Sequence, residues 1–301
     1  MNIPDSFKDK IIGAFGKEGD NWLQSLDERI SLCVDRWKLH IISPVSNLSY
    51  NYVLNAKDTN GNSVILKLGL PGFDFTNEWN TVQAYDGNGC AKVLDADPEL
   101  GAMLLEQLTP GNMLSEVEDE EVVLQHFVKV WKTLRREEPA NFRGPDLRHW
   151  MEGLQRYLDT TKYDQRPISE LEVRQAYQYF VEVTESSSKS ELLHGDLHHE
   201  NILFSSEKGW LAIDPKGVIG DSYFDVVSFL INQLEHKEHP KEIVRNRIKY
   251  LIDNISFDRE RLLKAAIALA TLYACWGVED KADWETPYQC VQWFREFLGE
   301  K

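Results

Sequence analysis

Leu192-Leu-His-Gly-Asp-Leu-His-His-Glu-Asn-Ile-Leu203 is the stretch on which the reading of this chain turns. It sets Asp196 five residues ahead of Asn201 and ends on an apolar run, and two further pieces follow, Leu211-Ala-Ile-Asp214 and Gly220-Asp-Ser-Tyr-Phe-Asp225. The plainest interpretation is a polar loop joining a helix to a strand. A sharper competitor is a hydrolase with a metal held by His194, Asp196, His198 and His199. Adjacent histidines on an extended loop point in different directions, however, and that site leaves Asp214 without a purpose.

The spacing H-x-D-x-x-x-x-N, with a second aspartate after another short strand, matches the catalytic loop of kinases. Phosphoryl transfer to a hydroxyl needs a carboxylate that orients the attacking oxygen and accepts its proton, the role expected of Asp196. It also needs hard oxygen ligands for Mg²⁺ bridging the phosphates, expected of Asn201 and Asp214. A second piece lies upstream, in Val64-Ile-Leu-Lys-Leu68. Lys67 is set among aliphatic residues, where burying a charge is costly without a partner, and Glu78 on the following helix is expected to supply one. In kinases such a pair holds the α- and β-phosphates. Taken singly, Lys67 is a solvated strand residue and Glu78 a surface acid; taken together, ahead of the loop, they predict a nucleotide site.

Outward from these motifs the chain divides. Residues 1–40 carry apolar positions at helical spacing, Phe7, Ile11, Ile12 and Phe15, then Trp22, Leu26, Ile30, Val34 and Trp37, and predict a helical cover. Tyr50–Ala56 and Ser63–Gly69 are β-prone runs joined by a turn containing Asn60-Gly61, which predicts a hairpin. A helix is expected around Asn77–Asp86, and strands at Ala91–Leu94 and Met103–Leu105. After Gly111 the pattern is helical except at Ile202–Phe204 and Leu211–Ile213, with a brief polar loop at Ser186–Ser190. The expected fold class is α+β: a bilobal chain with an N-terminal antiparallel lobe over 1–105, a hinge connector at 106–111 and a mostly helical catalytic and substrate-binding lobe over 112–301.

Composition narrows the partners. With 301 residues, 42% of them hydrophobic, the chain is long enough for a substantial core. A formal net charge of −16 opposes phosphodiester backbones, and no basic stripe with interleaved aromatics is present, so no nucleic-acid partner is expected. A cationic or neutral small molecule suits that charge better, although acidity alone also serves solubility. Cys33, Cys90, Cys275 and Cys290 form no CxxC pair and are expected to be reduced core residues of a cytoplasmic protein. The polar start MNIPDSFKDK gives no sign of a secretory signal. The apolar stretch Ala265–Val278 is expected to be a buried helix, too short to cross a bilayer of ~30 Å. No obligate protein partner is inferred.

In HGDLHHENIL, WLAIDPK, GDSYFDV and, more loosely, WGVEDKADWE, the sequence resembles the aminoglycoside phosphotransferase family of the protein-kinase-like fold. The likeness is strongest to its streptomycin 6-kinase and hydroxyurea phosphotransferase branch. The resemblance implies Asp196 as base, Asn201 and Asp214 as magnesium ligands, and Asp225, with the loop His194, as braces of the catalytic loop. It implies an adenine-binding connector at Glu106 to Leu108, using backbone groups of Glu106 and Leu108. ATP is the expected nucleotide, with GTP left open. Where kinases carry a glycine-rich loop, this chain has Ser43-Pro-Val-Ser-Asn-Leu-Ser-Tyr50, so Ser46, Asn47 and Ser49 are expected to supply side-chain hydrogen bonds. The implied acceptor is an aminoglycoside such as streptomycin, whose guanidinium groups would meet Glu279, Asp280, Asp283 and Glu285, or hydroxyurea; a solvated turn is the plain alternative for that acidic run. A kinase of choline, homoserine or a sugar amine, and a catalytically silent nucleotide-binding protein, remain open beside it.

Overall fold

The computed structural model describes residues 3–162, 166–187 and 189–299; the chain ends at 1–2 and 300–301, and Ser188 of the expected polar loop, lie outside them. Two compact units divide the chain, residues 1–111 and 112–301.

In the first unit the helix α1 (Asp5–Trp37) is interrupted at Gly16, which takes φ 55°. The strands β1 (His40–Pro44), β2 (Tyr52–Lys57), β3 (Ser63–Leu68), β4 (Val93–Asp97) and β5 (Ala102–Glu106) form an antiparallel sheet of order β1-β2-β3-β5-β4, with α2 (Phe73–Tyr85) between β3 and β4. Strand alternation decides which residues reach the core. Tyr52, Leu54 and Ala56 of β2, Val64, Leu66 and Leu68 of β3, and Ala102 and Leu104 of β5 join Phe7, Ile11, Trp22, Leu26, Ile30 and Cys33 of α1 in one apolar cluster. Each large side chain buried there contributes roughly 1.5–3 kcal/mol. Ile12, expected among the inward positions, is instead exposed. β1 was not anticipated: only Ile41 of its five residues is even partly covered, so it lacks the alternation that marks a half-buried strand.

The second unit is built around α8 (Arg259–Asp280), which packs against α4 (Leu147–Thr160), α5 (Glu170–Glu185), α6 (Val227–Ile231) and α9 (Glu285–Gly299); α3 (Glu120–Leu134) and α7 (Pro240–Ile255) complete the helices described. By length and composition alone α8, at 22 residues, would reach across a bilayer, which corrects the expectation that the apolar stretch is too short. Its position explains its composition, since 72% of its most apolar window is buried inside the protein. All four cysteines are buried, and none of them is in a disulfide.

Five short strands join the helices: β6 (Pro110–Met113), β7 (Glu191–Leu193), β8 (Ile202–Ser205), β9 (Gly209–Ala212) and β10 (Val218–Gly220). They form a sheet of order β6-β8-β9 and a ribbon of β7 with β10. β8 and β9 match the two expected apolar runs, whereas β6 begins Pro110-Gly111-Asn112 and β7 and β10 have only three residues each, so none of these three carries a strand signal. In the ribbon, Gly220 faces Glu191, and a Cβ on Gly220 would lie 2.2 Å from Cδ1 of the buried Leu147 at the start of α4. We therefore expect Gly220→Ala to lower stability by about 1–3 kcal/mol, the usual cost of overpacking, read as a drop in denaturant midpoint. Gly13→Ala, in a helical position with nothing within 4 Å of the new methyl, should raise it. Equal shifts for the two would show that the Leu147 contact is not tight.

Candidate active site

The register of the β8–β9 hairpin brings two parts of the motif together. Ile202 pairs with Ala212, so the residues just outside the hairpin, Asn201 on one side and Ile213-Asp214 on the other, meet at the same end. The Ile213 amide donates to the Asn201 carbonyl at 2.9 Å. Asp214 follows with φ 57°, a left-handed conformation that aspartate tolerates better than most side chains.

The loop before β8 is tied to this end by His194, whose buried ring bonds through Nε2 to the Ile213 carbonyl at 2.9 Å while Nδ1 accepts the Asp196 amide at 3.2 Å. That pair of contacts requires the neutral tautomer protonated at Nε2. Burial holds it there, lowering the His194 pKa to about 3. Gly195 follows with φ 80°, and a Cβ there would crowd Val218, Trp150 and Lys216 at 3.0–3.2 Å. Its amide donates to Oδ1 of the buried Asp225 at 2.8 Å. Burial raises the Asp225 pKa to about 6 against the opposing hydrogen bonds from the Gly195 and His194 amides.

Asp196 itself is partly exposed. Its backbone carbonyl accepts Nδ2 of Asn201 at 2.9 Å, and its Oδ1 lies 3.8 Å from Nε2 of His198. His198 and His199 do diverge. His198 turns to Glu200, with Nδ1 2.7 Å from Oε2, and to Asn201, with Nε2 3.1 Å from Nδ2. Burial lowers the His198 pKa, but the Glu200 hydrogen bond and the nearby Asp196, Glu200 and Asp214 charges outweigh it and raise the value. His199 turns the other way, stacked on Phe229 and 3.3 Å from the buried Arg247 guanidinium. Among the described residues no group of three or more His, Cys, Asp or Glu stands in a metal-holding arrangement.

Asp196, His198 and Glu200 line a cavity of about 430 Å³ with Ser228, Gln233, Glu235, Tyr273, Asp283 and Thr286. Of the acidic run expected to meet an acceptor, only Asp283 is in this wall. Glu279 is held by a bidentate Arg156 at 2.8 and 3.2 Å, Asp280 ends α8 in the open, and Glu285 lines a different cavity beside Arg166 and Trp284. Glu200, Glu235 and Tyr273 were not singled out from the sequence. Glu200 stands inside the motif and was within reach; Glu235 and Tyr273 carry no local signal, because a loop and a long helix bring them in.

In the first unit, Lys67 is 2% exposed and its Nζ lies 2.5 Å from Oε1 of Glu78. It occupies the face of β3 opposite the α1 core, between Val53 and Met103 of the neighbouring strands. Glu106 closes β5, its amide donating to the Lys92 carbonyl at 3.0 Å and its carboxylate accepting the Lys92 amide at 2.8 Å. Leu108 is buried. Ser46, Asn47 and Ser49 lie exposed in the loop joining β1 to β2.

A sequence profile described as aminoglycoside/hydroxyurea antibiotic resistance kinase matches residues 36–281. A streptomycin 6-kinase of Streptomyces griseus is 27% identical, the match covering 93% of this chain and 92% of that protein. A hydroxyurea phosphotransferase of Kitasatospora aureofaciens is 27% identical over 93% of this chain and 81% of its own length. Among solved structures, a thermostable mutant of aminoglycoside phosphotransferase APH(4)-Ia, in ternary complex with AMP-PNP and hygromycin B, shares the fold at a TM-score of 0.60 and 14% identity, covering 90% of this chain and 99% of that one. The fold is thus that of the protein-kinase-like small-molecule phosphotransferases, and with the profile spanning most of its length the chain belongs to the aminoglycoside/hydroxyurea antibiotic resistance kinase family.

Proposed function

We propose that the protein transfers the γ-phosphoryl group of ATP to a hydroxyl of a small cationic acceptor of the streptomycin kind. The observation that carries this choice is the cavity in which Asp196 shares the wall with Glu200, Glu235 and Asp283. Its volume falls within the usual range for small-molecule sites, and four carboxylates around one space favour a cation over a neutral molecule the size of hydroxyurea.

In this reading Asp196 orients the acceptor hydroxyl and takes its proton as the new O–P bond forms and the bond to the β-phosphate oxygen breaks. Its partial exposure at the cavity wall suits an acceptor of protons. Lys67, held by Glu78, takes the α- and β-phosphates; the Glu106–Leu108 backbone takes the base, and Ser46, Asn47 and Ser49 the phosphate loop's role. The donor set fits magnesium: the Asn201 amide is turned with Nδ2 on the Asp196 carbonyl, so Oδ1 is its remaining donor, and Asp214 adds a carboxylate. Bound there, magnesium would neutralise charge on the phosphates. His194 and Asp225 brace the loop from beneath.

A screen of ATP consumption tests the acceptor. We expect turnover with streptomycin-like aminoglycosides to exceed that with hydroxyurea, choline or homoserine; preference for a neutral acceptor would overturn the cationic assignment. Asp196→Asn should lower kcat by at least ~10²-fold while nucleotide affinity, measured by calorimetry, stays near wild type, because this carboxylate meets only the incoming hydroxyl. A variant with native kcat removes Asp196 from the role of base.

Asp225 gives a pH prediction. Its pKa is about 6 in the fold against 3.8 ordinarily, so the folded chain binds this proton more tightly than the unfolded chain does. Its contribution to stability is therefore full below about 3.8 and is lost as pH rises through 6. Asp225→Asn removes that dependence, and its denaturant midpoint relative to wild type should improve from pH 5 to pH 8. A constant difference across that window would show an unshifted carboxyl.

A further inference from the structure

The family motif accounts for Asp196 and Asn201 but leaves His198, Glu200 and Gln233 without a task, although they form one continuous hydrogen-bonded chain. Gln233 Nε2 donates to Oε1 of Glu200, Glu200 Oε2 lies 2.7 Å from Nδ1 of His198, and Nε2 of His198 lies 3.1 Å from Nδ2 of Asn201. We infer that His198 is a positioning residue whose unprotonated Nε2 fixes the Asn201 carboxamide with Oδ1 outward, and that Glu200, steadied by Gln233, sets the tautomer that makes this possible. The inference rests on the role of Asn201 proposed above.

Donor and acceptor bookkeeping supports it. The Asn201 amide cannot be reversed, since that would set Oδ1 against the Asp196 carbonyl oxygen, 2.9 Å from the present Nδ2. One Nδ2 hydrogen serves that carbonyl and the other faces His198, so Nε2 of the neutral ring must accept. The proton then sits on Nδ1, where the Glu200 carboxylate receives it at 2.7 Å, a closer contact than the 3.3 Å from the Glu200 backbone amide to the same nitrogen. The opposite tautomer would oppose two donors at Asn201. It would also point N–H at Oδ1 of Asp196, 3.8 Å away, drawing on the carboxylate that must accept the hydroxyl proton. One choice of tautomer therefore serves both residues. Partners of this kind, one step removed from a metal ligand, typically change affinity or activity by ~10–100-fold.

The test begins on the full chain without nucleotide, metal or acceptor, labelled with ¹⁵N-histidine at pH 8.5, with His198 assigned by difference from His198→Gln. The expected spectrum shows Nδ1 protonated and Nε2 bearing the lone pair, moving toward a tautomer mixture in Glu200→Ala. A proton on Nε2 in the wild type overturns the inference, and this readout stands whether or not any acceptor is turned over. In kinetics, Glu200→Ala should lower kcat ~10–100-fold and raise the Mg²⁺ concentration needed for half-maximal rate, with acceptor KM unmoved. Glu200→Gln should recover most of that loss, because its Oε1 still receives Nδ1–H while Gln233 turns its own amide to accept the new NH₂. If Gln is as poor as Ala and both raise acceptor KM, Glu200 is a charge contact for the acceptor, and the positioning role is wrong.

Discussion

The hydrogen bond from His194 Nε2 to the Ile213 carbonyl is the tie on which the candidate site of the second unit depends. The loop from Gly195 to Glu200 leaves β7, whereas Asp214 leaves β9, and nothing local in the sequence joins those two exits. The imidazole does so from both nitrogens, reaching Ile213 with one and the Asp196 amide with the other. Because the ring is buried, an unpaired nitrogen on either side would carry the full desolvation cost of a polar group, about 1–3 kcal/mol. The ring is thereby confined to one tautomer and one orientation, and the positions of Asp196 and Asp214 become functions of each other.

Beneath this tie the loop backbone is held by charge. Gly195 bonds Asp225, and Asp225 lies in a field set by the Arg135–Glu191 pair, while Asp221 nearby in sequence pairs with Arg261 at 2.5 Å. Asp221 is the second residue of the same GDSYFD segment that Asp225 closes, so one short stretch lends two carboxylates to the underside of the site. Only the second touches the loop. The first fastens the segment to α8, which also presents Tyr273 to the cavity. The helix that forms the centre of the second unit is thus coupled to the site twice.

What was legible in the sequence follows from how local the information is. The β2–β3 hairpin was readable because its turn is specified by Asn60-Gly61 and by Asp58, whose carboxylate accepts both the Asn60 and Asn62 amides. The nearness of Asn201 and Asp214 was readable because a tight hairpin converts a sequence interval into a contact. Lys67 and Glu78 were readable as a pair because a buried cation demands a partner. The cavity wall was not. Glu279 looked like its neighbours in the acidic run, but its place on α8 opposite Arg156 of α4 commits it to a helix–helix pair, while the next turn delivers Asp283 to the wall. Residues brought in by helix packing, such as Tyr273, leave no mark at short range.

The overall charge and the local chemistry act at different distances. A net charge of −16 opposes the approach of a polyanionic nucleotide and favours a cationic acceptor, yet at physiological ionic strength such a field decays over about 8 Å. It therefore acts on encounter more than on the bound state. Binding an anion to this chain falls to cations placed where water is scarce, and Lys67 meets that description, buried and paired with the Glu78 carboxylate. Its ion pair with Glu78 offsets part of the cost of burying the charge. The cavity wall carries the opposite sign, with Asp196, Glu200, Glu235 and Asp283 around one space. In the proposed reading, the buried, paired cation would serve the anionic donor and the acidic cavity the cationic acceptor.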